Sequence, residues 1–388
     1  MRVLLDATAI PANRGGVGRY VDELVPALTG AGVQTQVVCQ PRDADVFAAL
    51  STAPPVLAGP AAARASTRLL WEQIELPRIV ARAQPDVLHS PHYTQPLRMR
   101  TANAVTLHDA TFFTDPQVHS RVKGPFFRAA TRRAVRHAGC ALVPSRSTAD
   151  ELVRLLRADP ARLQVAHHGV DSTVFRPPSP AQVAAARGYL GLAPEQQYIA
   201  FLGTLEPRKN LPALIAGWRQ LADPRDAGPG GAPDRARPPA LVLAGGTGWD
   251  DALDAAVAAV EAGLTLLRPG YLPYELLAGY LGGASVVCYP SLFEGFGLPV
   301  LEAMACGAPV LTSSRGPLPE VGGDAVAYTD TDPRSIAVAL RQLLDDPARR
   351  TRLAQAGPAR AAGFTWAACA RAHIEGYELA LRRAPARR

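Results

Sequence analysis

The chain has 388 residues, of which 48% are hydrophobic and 19% charged, and its formal net charge is +7. This length suits two ordinary domains. Five scattered cysteines exclude a disulfide-rich scaffold, and no apolar run reaches the ~18 residues that a transmembrane helix needs. Met1-Arg2 leads directly into an apolar strand, so we predict no signal peptide and expect a cytoplasmic location.

The charge is unevenly shared between the two halves of the chain. Residues 1–190 contain 22 Lys and Arg against 14 Asp and Glu, whereas residues 191–388 contain 19 against 20. A basic first half suits an anionic partner such as membrane lipid, lipid-linked phosphate or nucleic acid. A solvated basic surface explains the same excess, and both interpretations stay open.

Short apolar strands alternate with amphipathic helices along the chain. The first series of predicted strands is Val3–Asp6, Gln36–Cys39, Asp86–His89, Ala104–Leu107, Ala141–Pro144 and Leu163–Ala166. The second series is Tyr198–Gly203, Ala240–Ala244, Thr265–Leu267, Ser285–Tyr289, Pro309–Thr312 and Ala325–Tyr328. Because alternating strands and helices form parallel sheets covered on both faces, we predict an α/β fold with two doubly wound, Rossmann-like domains.

We expect an N-terminal domain over residues 1–175 and a C-terminal domain over residues 190–365, followed by a final helix within 366–388. The intervening segment Asp171–Gln197 is rich in proline and is predicted to be a hinge. The segment Asp223–Pro239 is rich in glycine and proline, which favours a surface loop.

The most informative segment follows the predicted strand Ser285–Tyr289. It contains two carboxylates, Glu294 and Glu302, eight positions apart. Between them lie a glycine-containing turn and the start of an apolar helix, formed by Gly295, Phe296, Gly297 and Leu298. A strand, a glycine loop and a helix N-terminus offer backbone N–H groups to phosphate, whereas carboxylates accept hydrogen bonds from hydroxyls. The pattern therefore predicts a nucleotide-sugar site.

A second group of candidates follows the first strand of the second series. Arg208 and Lys209 stand before a predicted helix, with Asn210 as its expected cap. Two cations there would clamp a diphosphate and stabilise it as a leaving group, although a solvent-exposed basic turn is the alternative. Gly203 and Gly245 lie at neighbouring strand ends and are expected to approach the nucleotide.

The first domain offers candidates after two of its strands. Gly15 and Gly16 follow Val3–Asp6 in a loop whose backbone N–H groups can approach an anion. This loop lacks the G-x-G-x-x-G spacing, which argues against a nicotinamide dehydrogenase. His108 ends the strand Ala104–Leu107, at the edge where open sheets bind ligands, so we interpret it as a site residue.

Two further patterns carry alternatives. The segment His119–His137 combines Phe126 with six basic residues, so it is either a helix for an anionic membrane surface or an ordinary solvated helix. Asp43–Asp45 and Asp330–Asp332 match the Asp-x-Asp letters of a metal–diphosphate signature, but both lie away from the glycine loops. We interpret them as coincidence and predict no metal site.

The chain resembles the retaining glycosyltransferases of family four, which have the GT-B architecture of two Rossmann-like domains facing a cleft. The resemblance covers nearly the whole chain and is closest to bacterial mannosyl- and rhamnosyltransferases. Its most specific marks are the blocks Glu206–Asn210 and Glu294–Glu302. The supporting marks are Gly15-Gly16, His108-Asp109, Ser145 and His168–Asp171. One departure is His167-His168, where the family often has Pro-Asn.

The resemblance implies catalytic roles for four residues. Arg208 and Lys209 would hold the diphosphate, Glu294 would face the donor sugar, and His108 would help to orient that sugar. Together with the glycines at the strand ends, the resemblance gives a predicted donor-binding set of Gly15, Gly16, Gly203, Arg208, Lys209, Gly245, Glu294, Gly295, Phe296, Gly297, Leu298 and Glu302. Within it, Glu302 would bind the ribose hydroxyls. The last helix would pack back on the first domain.

The function implied is that of a metal-independent hexosyltransferase that retains anomeric configuration and needs no cofactor beyond its co-substrate. We favour GDP-mannose over UDP- or dTDP-sugars as the donor. The acceptor would be a glycan, a lipid-linked sugar or a small molecule in bacterial surface polysaccharide or glycolipid assembly, and would bind the N-terminal domain. Peripheral membrane association is one expectation, and no nucleic acid partner is expected. A nucleotide-sugar epimerase, a phosphorylase or a non-enzymatic protein that binds anionic surfaces remain alternatives.

Overall fold

The computed structural model describes residues 1–12, 14–114, 123–222 and 238–384, and the backbone but not the side chains of Ala65 and Lys123. The chain divides into an N-terminal unit, Met1–Gly169 with Phe364–Arg388, and a C-terminal unit, Val170–Gly363. Most of the predicted loop Asp223–Pro239 and the first part of the basic segment His119–His137 lie outside the described residues. No helix in the described ranges is both long and apolar enough to cross a bilayer.

The N-terminal unit is built on a seven-stranded parallel sheet with the order β3-β2-β1-β4-β5-β6-β7. Its strands are β1 Arg2–Asp6, β2 Gln34–Cys39, β3 Val56–Leu57, β4 Val87–Ser90, β5 Ala102–Thr106, β6 Cys140–Val143 and β7 Leu163–Val165. Its first six helices are α1 Gly15–Gly30, α2 Ala44–Leu50, α3 Ala65–Ala83, α4 Thr111–Thr114, α5 Lys123–His137 and α6 Arg146–Leu156. The inner strands are almost fully buried because helices cover both faces, as their apolar sequences require, whereas the edge strands β3 and β7 are partly exposed.

The C-terminal unit has a six-stranded parallel sheet with the order β10-β9-β8-β11-β12-β13. Its strands are β8 Tyr198–Leu202, β9 Ala240–Ala244, β10 Leu266–Gly270, β11 Val286–Tyr289, β12 Val310–Ser313 and β13 Ala327–Thr329. Its helices are α7 Pro180–Leu190, α8 Leu211–Arg219, α9 Asp251–Ala258, α10 Leu277–Gly282, α11 Leu298–Ala305, α12 Leu318–Gly322, α13 Pro333–Asp345 and α14 Pro347–Ala361. Both units therefore have the doubly wound architecture that the strand–helix alternation predicts.

The predicted hinge Asp171–Gln197 is not a continuous linker, because it contains the whole of α7. The Ser179 side chain accepts a hydrogen bond from the Gln182 N–H, and the Gln182 side chain caps the Ser179 N–H in return. Pro180 stands in the first turn, where its missing N–H costs nothing. The proline content that favours a hinge is here the start of a capped helix.

The last helix, α15 Trp366–Arg383, belongs to the N-terminal unit. Its Cys369, Tyr377 and Ala380 lie in the same apolar core as residues of α1 and of the central strands. A buried chain of hydrogen bonds joins it to α1 and the sheet. The His373 Nδ1–H donates to the Cys369 carbonyl at 2.8 Å, so the Nε2 of the neutral ring accepts from the Tyr20 hydroxyl at 2.6 Å.

The same series of hydrogen bonds continues through the sheet to a second residue of α15. The Thr106 hydroxyl donates to Tyr20 Oη at 3.0 Å and accepts from His89 Nε2–H at 2.8 Å. His89 Nδ1 then accepts from the Tyr377 hydroxyl at 2.9 Å. One tautomer of each ring satisfies every polar atom named, so the network closes only while both histidines are neutral.

Burial keeps these rings neutral. It lowers the pKa of His373 to about 4, and it lowers the pKa of His89 strongly. In the unfolded chain a histidine binds a proton below about pH 6.5, whereas folded His373 does so only near pH 4. The unfolded state therefore binds more protons in this window, and the N-terminal unit loses stability as the pH falls through it.

We predict that His373→Gln shows a smaller fall in the thermal unfolding midpoint of this unit between about pH 7.5 and pH 5 than the wild type does. The exposed His137, replaced by Gln, is the matched control and is expected to keep the wild-type fall. Calorimetry of the full chain at the two pH values measures the difference. Equal falls in the two variants would contradict the role given to His373.

Candidate active site

The C-terminal unit has its topological switch point between β8 and β11. Chain connections run from β8 to one edge of the sheet through β9 and β10, and from β11 to the other edge through β12 and β13. In doubly wound sheets, ligands bind in the crevice outside the carboxyl ends of the strands at this point. The loops that follow β8 and β11 at this point carry the predicted site residues Arg208, Lys209 and Glu294.

A single carboxylate joins these two loops. Arg208 and Lys209 belong to a 3₁₀ turn, Pro207–Lys209, after β8, and Glu294 belongs to the loop after β11. Glu294 Oε2 accepts from Arg208 Nη1 at 2.6 Å, and Glu294 Oε1 accepts from Lys209 Nζ at 2.6 Å. The Leu292 N–H donates to the Arg208 carbonyl at 2.8 Å, so backbone and side chains tie the loops together. The structure thus brings together three predicted site residues.

The cluster of Arg208, Lys209 and Glu294 is largely buried, so its charges interact strongly. The side chains of Lys209 and Glu294 are 5% and 6% exposed, whereas that of Arg208 is 28% exposed. Burial alone would raise the pKa of Glu294, but Arg208 and Lys209 outweigh it and hold this pKa at about 2. The pKa of Lys209 is lowered, because burial and the neighbouring Arg208 oppose its charge more strongly than Glu294 supports it. The charged form of Glu294 is stabilised by two cations, whereas Lys209 shares the one carboxylate of Glu294 with Arg208.

Two members of this cluster have no predicted role. Glu206 Oε1 lies 2.6 Å from Arg208 Nε, and it fixes the guanidinium from the side opposite Glu294. The Tyr289 hydroxyl accepts a short hydrogen bond from Lys209, whose ammonium also lies 4.8 Å from the centre of the Tyr289 ring. Glu206 belongs to the Glu206–Asn210 block, and an acidic residue so close to Arg208 in the sequence could have predicted the ion pair. Tyr289 reads only as the last residue of a strand.

Asn210 does not cap α8 as predicted. It has a left-handed backbone conformation, with φ 60° and ψ 37°, and its side chain makes no capping hydrogen bond. Its Nδ2 instead donates to the carbonyls of Pro290 and Thr331, at 3.2 and 2.8 Å. Asn210 therefore ties the turn after β8 to the ends of two other strands, because asparagine tolerates this conformation and carries two donors.

Gly203 and Gly245 follow β8 and β9 and touch one another. The Gly203 N–H donates to the Ala244 carbonyl at 3.0 Å, and the Gly245 N–H donates to the Gly270 carbonyl at 2.8 Å. A Cβ on Gly245 would lie 2.0 Å from the Gly203 carbonyl oxygen. Glycine is required at position 245, because it lets the two strand ends approach closely beside the switch point.

The loop after β11 ends at the N-terminus of α11. Gly297 has φ 103° directly before the helix, and a Cβ there would lie 2.7 Å from Leu318 Cδ2, so glycine alone fits. Gly295 and Phe296 precede it, and Leu298 begins the helix. This arrangement places the first-turn amides of α11 at the ligand edge of the sheet.

Glu302 lies one turn into α11 and is 2% exposed. The structure places it on the helix that follows the Glu294 loop, as the eight-residue spacing predicts. A carboxylate in this position can accept hydrogen bonds from hydroxyls presented at the same edge.

In the N-terminal unit the switch point lies between β1 and β4. Gly15 and Gly16 are not in a loop as expected, because they are the first two residues of α1. A side chain on either would meet open space. The turn that leads from β1 into α1 therefore ends in a helix N-terminus, which suits an anion as well as the predicted loop does.

His108 lies after β5 in a partly exposed position and is held on several sides. Its Nε2 lies 2.7 Å from the Pro91 carbonyl, which can only accept, so Nε2 carries the proton and Nδ1 carries the lone pair. Tyr20 packs edge-on against the ring, with centroids 5.3 Å apart. Burial lowers the pKa of His108, and the bond to Pro91 only partly offsets this effect. His108 is thus a neutral hydrogen-bond acceptor at Nδ1.

A polar cluster at the β1–β4 switch point was not predicted. Arg68 of α3 lies 3.2 Å from Glu72 and 3.9 Å from Asp6, the last residue of β1. The Thr94 hydroxyl donates to Glu72 at 2.6 Å and accepts from Arg68 at 3.0 Å. Burial and Asp6 raise the pKa of Glu72 to about 7 against the effect of Arg68. The spacing of Arg68 and Glu72, four apart on a helix, was the available signal.

The Asp-x-Asp sequences have structural roles. Asp43 is buried and lies 3.1 Å from Arg14. Asp332 caps α13 by accepting from the Ser335 N–H at 3.0 Å. Within the described ranges, no group of three or more His, Cys, Asp or Glu residues has a metal-binding arrangement.

Comparisons with known proteins identify the family of the chain. The family model for glycosyl transferases group 1 matches residues 182–360, and the model for glycosyltransferase family 4 matches residues 14–174. The chain is 34% identical over 297 residues to O-antigen chain mannosyltransferase B of Escherichia coli, which covers 76% of this chain and 74% of that protein.

A second relative is D-inositol 3-phosphate glycosyltransferase of Kineococcus radiotolerans, 34% identical over 246 residues, or 60% of this chain and 55% of that protein. Among solved structures, sucrose-phosphate synthase of Thermosynechococcus elongatus superposes with a TM-score of 0.77 at 22% identity, over 97% of this chain and 98% of that one. This likeness supports the fold alone. The chain belongs to glycosyltransferase family 4, has the GT-B architecture, and is a hexosyltransferase that transfers a sugar from a nucleotide-sugar donor.

Proposed function

We propose that the chain transfers mannose from GDP-mannose, with retention of anomeric configuration and without a metal, to a hydroxyl of a glycan, a lipid-linked sugar or a small molecule. The observation that carries this proposal is the buried Glu294 carboxylate that holds Arg208 and Lys209 together at the β8–β11 switch point. Mannose is favoured because a 34% identical relative is named a mannosyltransferase. Guanine is assigned with it as the base that accompanies mannose.

Arg208 and Lys209 would bind the donor diphosphate. Because Glu206 and Glu294 already fix both cations, they need little rearrangement when negative charge develops on the leaving group. Glu294 keeps its charge throughout the physiological range, since its pKa is about 2, and it would accept hydrogen bonds from donor-sugar hydroxyls. Glu302 would accept from the ribose.

In the transfer step, the bond between the anomeric carbon and the diphosphate oxygen breaks, and the electron pair goes to the diphosphate. The acceptor hydroxyl attacks the same face of the sugar, and its proton passes to the leaving oxygen. His108 would orient the sugar by accepting a hydroxyl hydrogen at Nδ1, the ring atom that carries its lone pair. We assign the acceptor to the N-terminal unit, where the Asp6, Arg68 and Thr94 cluster offers polar groups at the ligand edge.

We expect Lys209→Met to lower transfer by about 100-fold or more, the effect of removing one preorganised group that stabilises developing negative charge. The exposed Arg334 of α13, replaced by Met, removes the same charge from the same unit and is the matched control. Release of GDP from GDP-mannose with a mannose-terminated acceptor measures the rate, and thermal unfolding confirms that both variants are folded. A folded Lys209→Met with the control's rate would refute the role of the cluster.

We expect GDP-mannose to raise the thermal unfolding midpoint more than UDP-glucose or dTDP-rhamnose at equal concentration, because ligand binding stabilises by mass action. With acceptor present, proton NMR of the product is expected to show the α-configuration of the donor. A larger shift with a UDP- or dTDP-sugar would overturn the donor assignment, and a β-linked product would overturn retention. Conversion of the donor sugar without acceptor would indicate an epimerase instead.

A further inference from the structure

Four large apolar side chains of the N-terminal unit are exposed in one region. Leu70 and Ile74 of α3 are 63% and 44% exposed, Leu97 of the segment after β4 is 54% exposed, and Phe126 of α5 is 39% exposed. Exposed apolar residues scattered singly are ordinary on a soluble protein, but a group of them marks an interaction surface.

Hydrogen bonds show that the segments carrying them are neighbours. The Leu97 N–H donates to Gln73 Oε1 at 2.7 Å, and Gln73 lies three positions after Leu70 and next to Ile74 on α3. On the other side, Arg133 Nη2 donates to the Leu97 carbonyl at 2.6 Å. Arg133 follows Phe126 by seven positions, so the two share a face of α5. Leu97 therefore links the exposed residues of α3 to those of α5.

The charges on the segment after β4 and on α5 are of one sign. Arg98 and Arg100 follow Leu97 and are exposed, as are Arg132 and Arg136 of α5. Neither the segment 96–108 nor α5 contains an acidic residue. On α3, Glu75 pairs with Arg78, and Glu72 is only 1% exposed. We call the set of Leu70, Ile74, Leu97, Phe126 and the four exposed arginines the α3–α5 surface.

We propose that the α3–α5 surface docks the protein on an anionic lipid bilayer. Arginines beside exposed apolar side chains match a negatively charged interface that also accepts apolar groups. Three of the four apolar residues are aliphatic, so they offer no stacking platform for bases, and this disfavours nucleic acid as the occupant. The positive charge of the four exposed arginines complements the anionic lipid headgroups.

The α3–α5 surface lies close in the chain to a predicted site residue. The Pro91 carbonyl, which accepts from His108, belongs to the same segment between β4 and β5 as Leu97. This segment leaves the carboxyl end of β4, the edge to which we assign the acceptor. Docking would bring that edge close to the headgroups, where a lipid-linked acceptor is presented. The inference goes beyond the proposed donor chemistry and does not depend on it.

The test is flotation of the full chain with two kinds of vesicle, one of phosphatidylcholine alone and one of phosphatidylcholine with phosphatidylglycerol. We expect binding to the anionic vesicles, loss of most of it when salt is raised, and little binding to the neutral ones. No binding to anionic vesicles, or equal binding to both kinds, would overturn the proposal.

Two pairs of variants locate the contact. Arg98→Glu with Arg136→Glu is expected to weaken anionic-vesicle binding at least tenfold, whereas Arg334→Glu with Arg352→Glu, exposed arginines of the C-terminal unit, is expected to leave it near the wild-type level. Leu70→Ser with Ile74→Ser is expected to weaken it as well, against Val338→Ser, which is 50% exposed on α13. Equal losses in the surface and control variants would overturn the proposal, because they would show that binding follows total charge or hydropathy. Unchanged thermal unfolding midpoints, measured without ligand, confirm that the variants are folded.

Discussion

The candidate site depends on one buried ionic arrangement, the Glu294 carboxylate between Arg208 and Lys209. Two neighbouring cations on one turn would repel each other, and their burial would cost them hydration. Glu294 offsets both costs with two charge-assisted hydrogen bonds. Arg208 and Lys209 lie in the turn after β8, and Glu294 lies in the loop after β11. The same contact therefore joins these two loops at the switch point of the sheet. The arrangement that stabilises these loops therefore also presents fixed positive charge where a diphosphate would bind.

The two units use the same topology for different chemistry. In the C-terminal unit, the cations after β8 and the start of α11 lie at the ligand edge, which suits a charged nucleotide. In the N-terminal unit, burial lowers the pKa of His89, His108 and His373 and so favours their neutral rings, and the polar cluster of Arg68 contains two carboxylates for one cation. Neutral rings and shared carboxylates suit hydroxyls better than phosphate. This division agrees with a donor in one unit and an acceptor in the other.

The sequence predicted both sheets because buried parallel strands are short apolar runs between amphipathic helices, a signal present from Val3 to Tyr328. It also singled out Arg208, Lys209 and Glu294 from their positions at strand ends, and the structure brings these three side chains together, although their roles in donor binding stay predictions. It missed α7, whose Ser179 and Gln182 capping pair was hidden by proline content. It missed the partnership of Tyr20, Thr106 and His373 as well, because contacts across 353 positions leave no local pattern.

The most direct measurement is a crystal structure of the full chain with GDP-mannose. The account predicts the diphosphate within hydrogen-bond distance of Arg208 and Lys209, the hexose hydroxyls at Glu294, and the ribose hydroxyls at Glu302. A donor bound with its diphosphate away from both cations would contradict the account, whatever the activity of the variants.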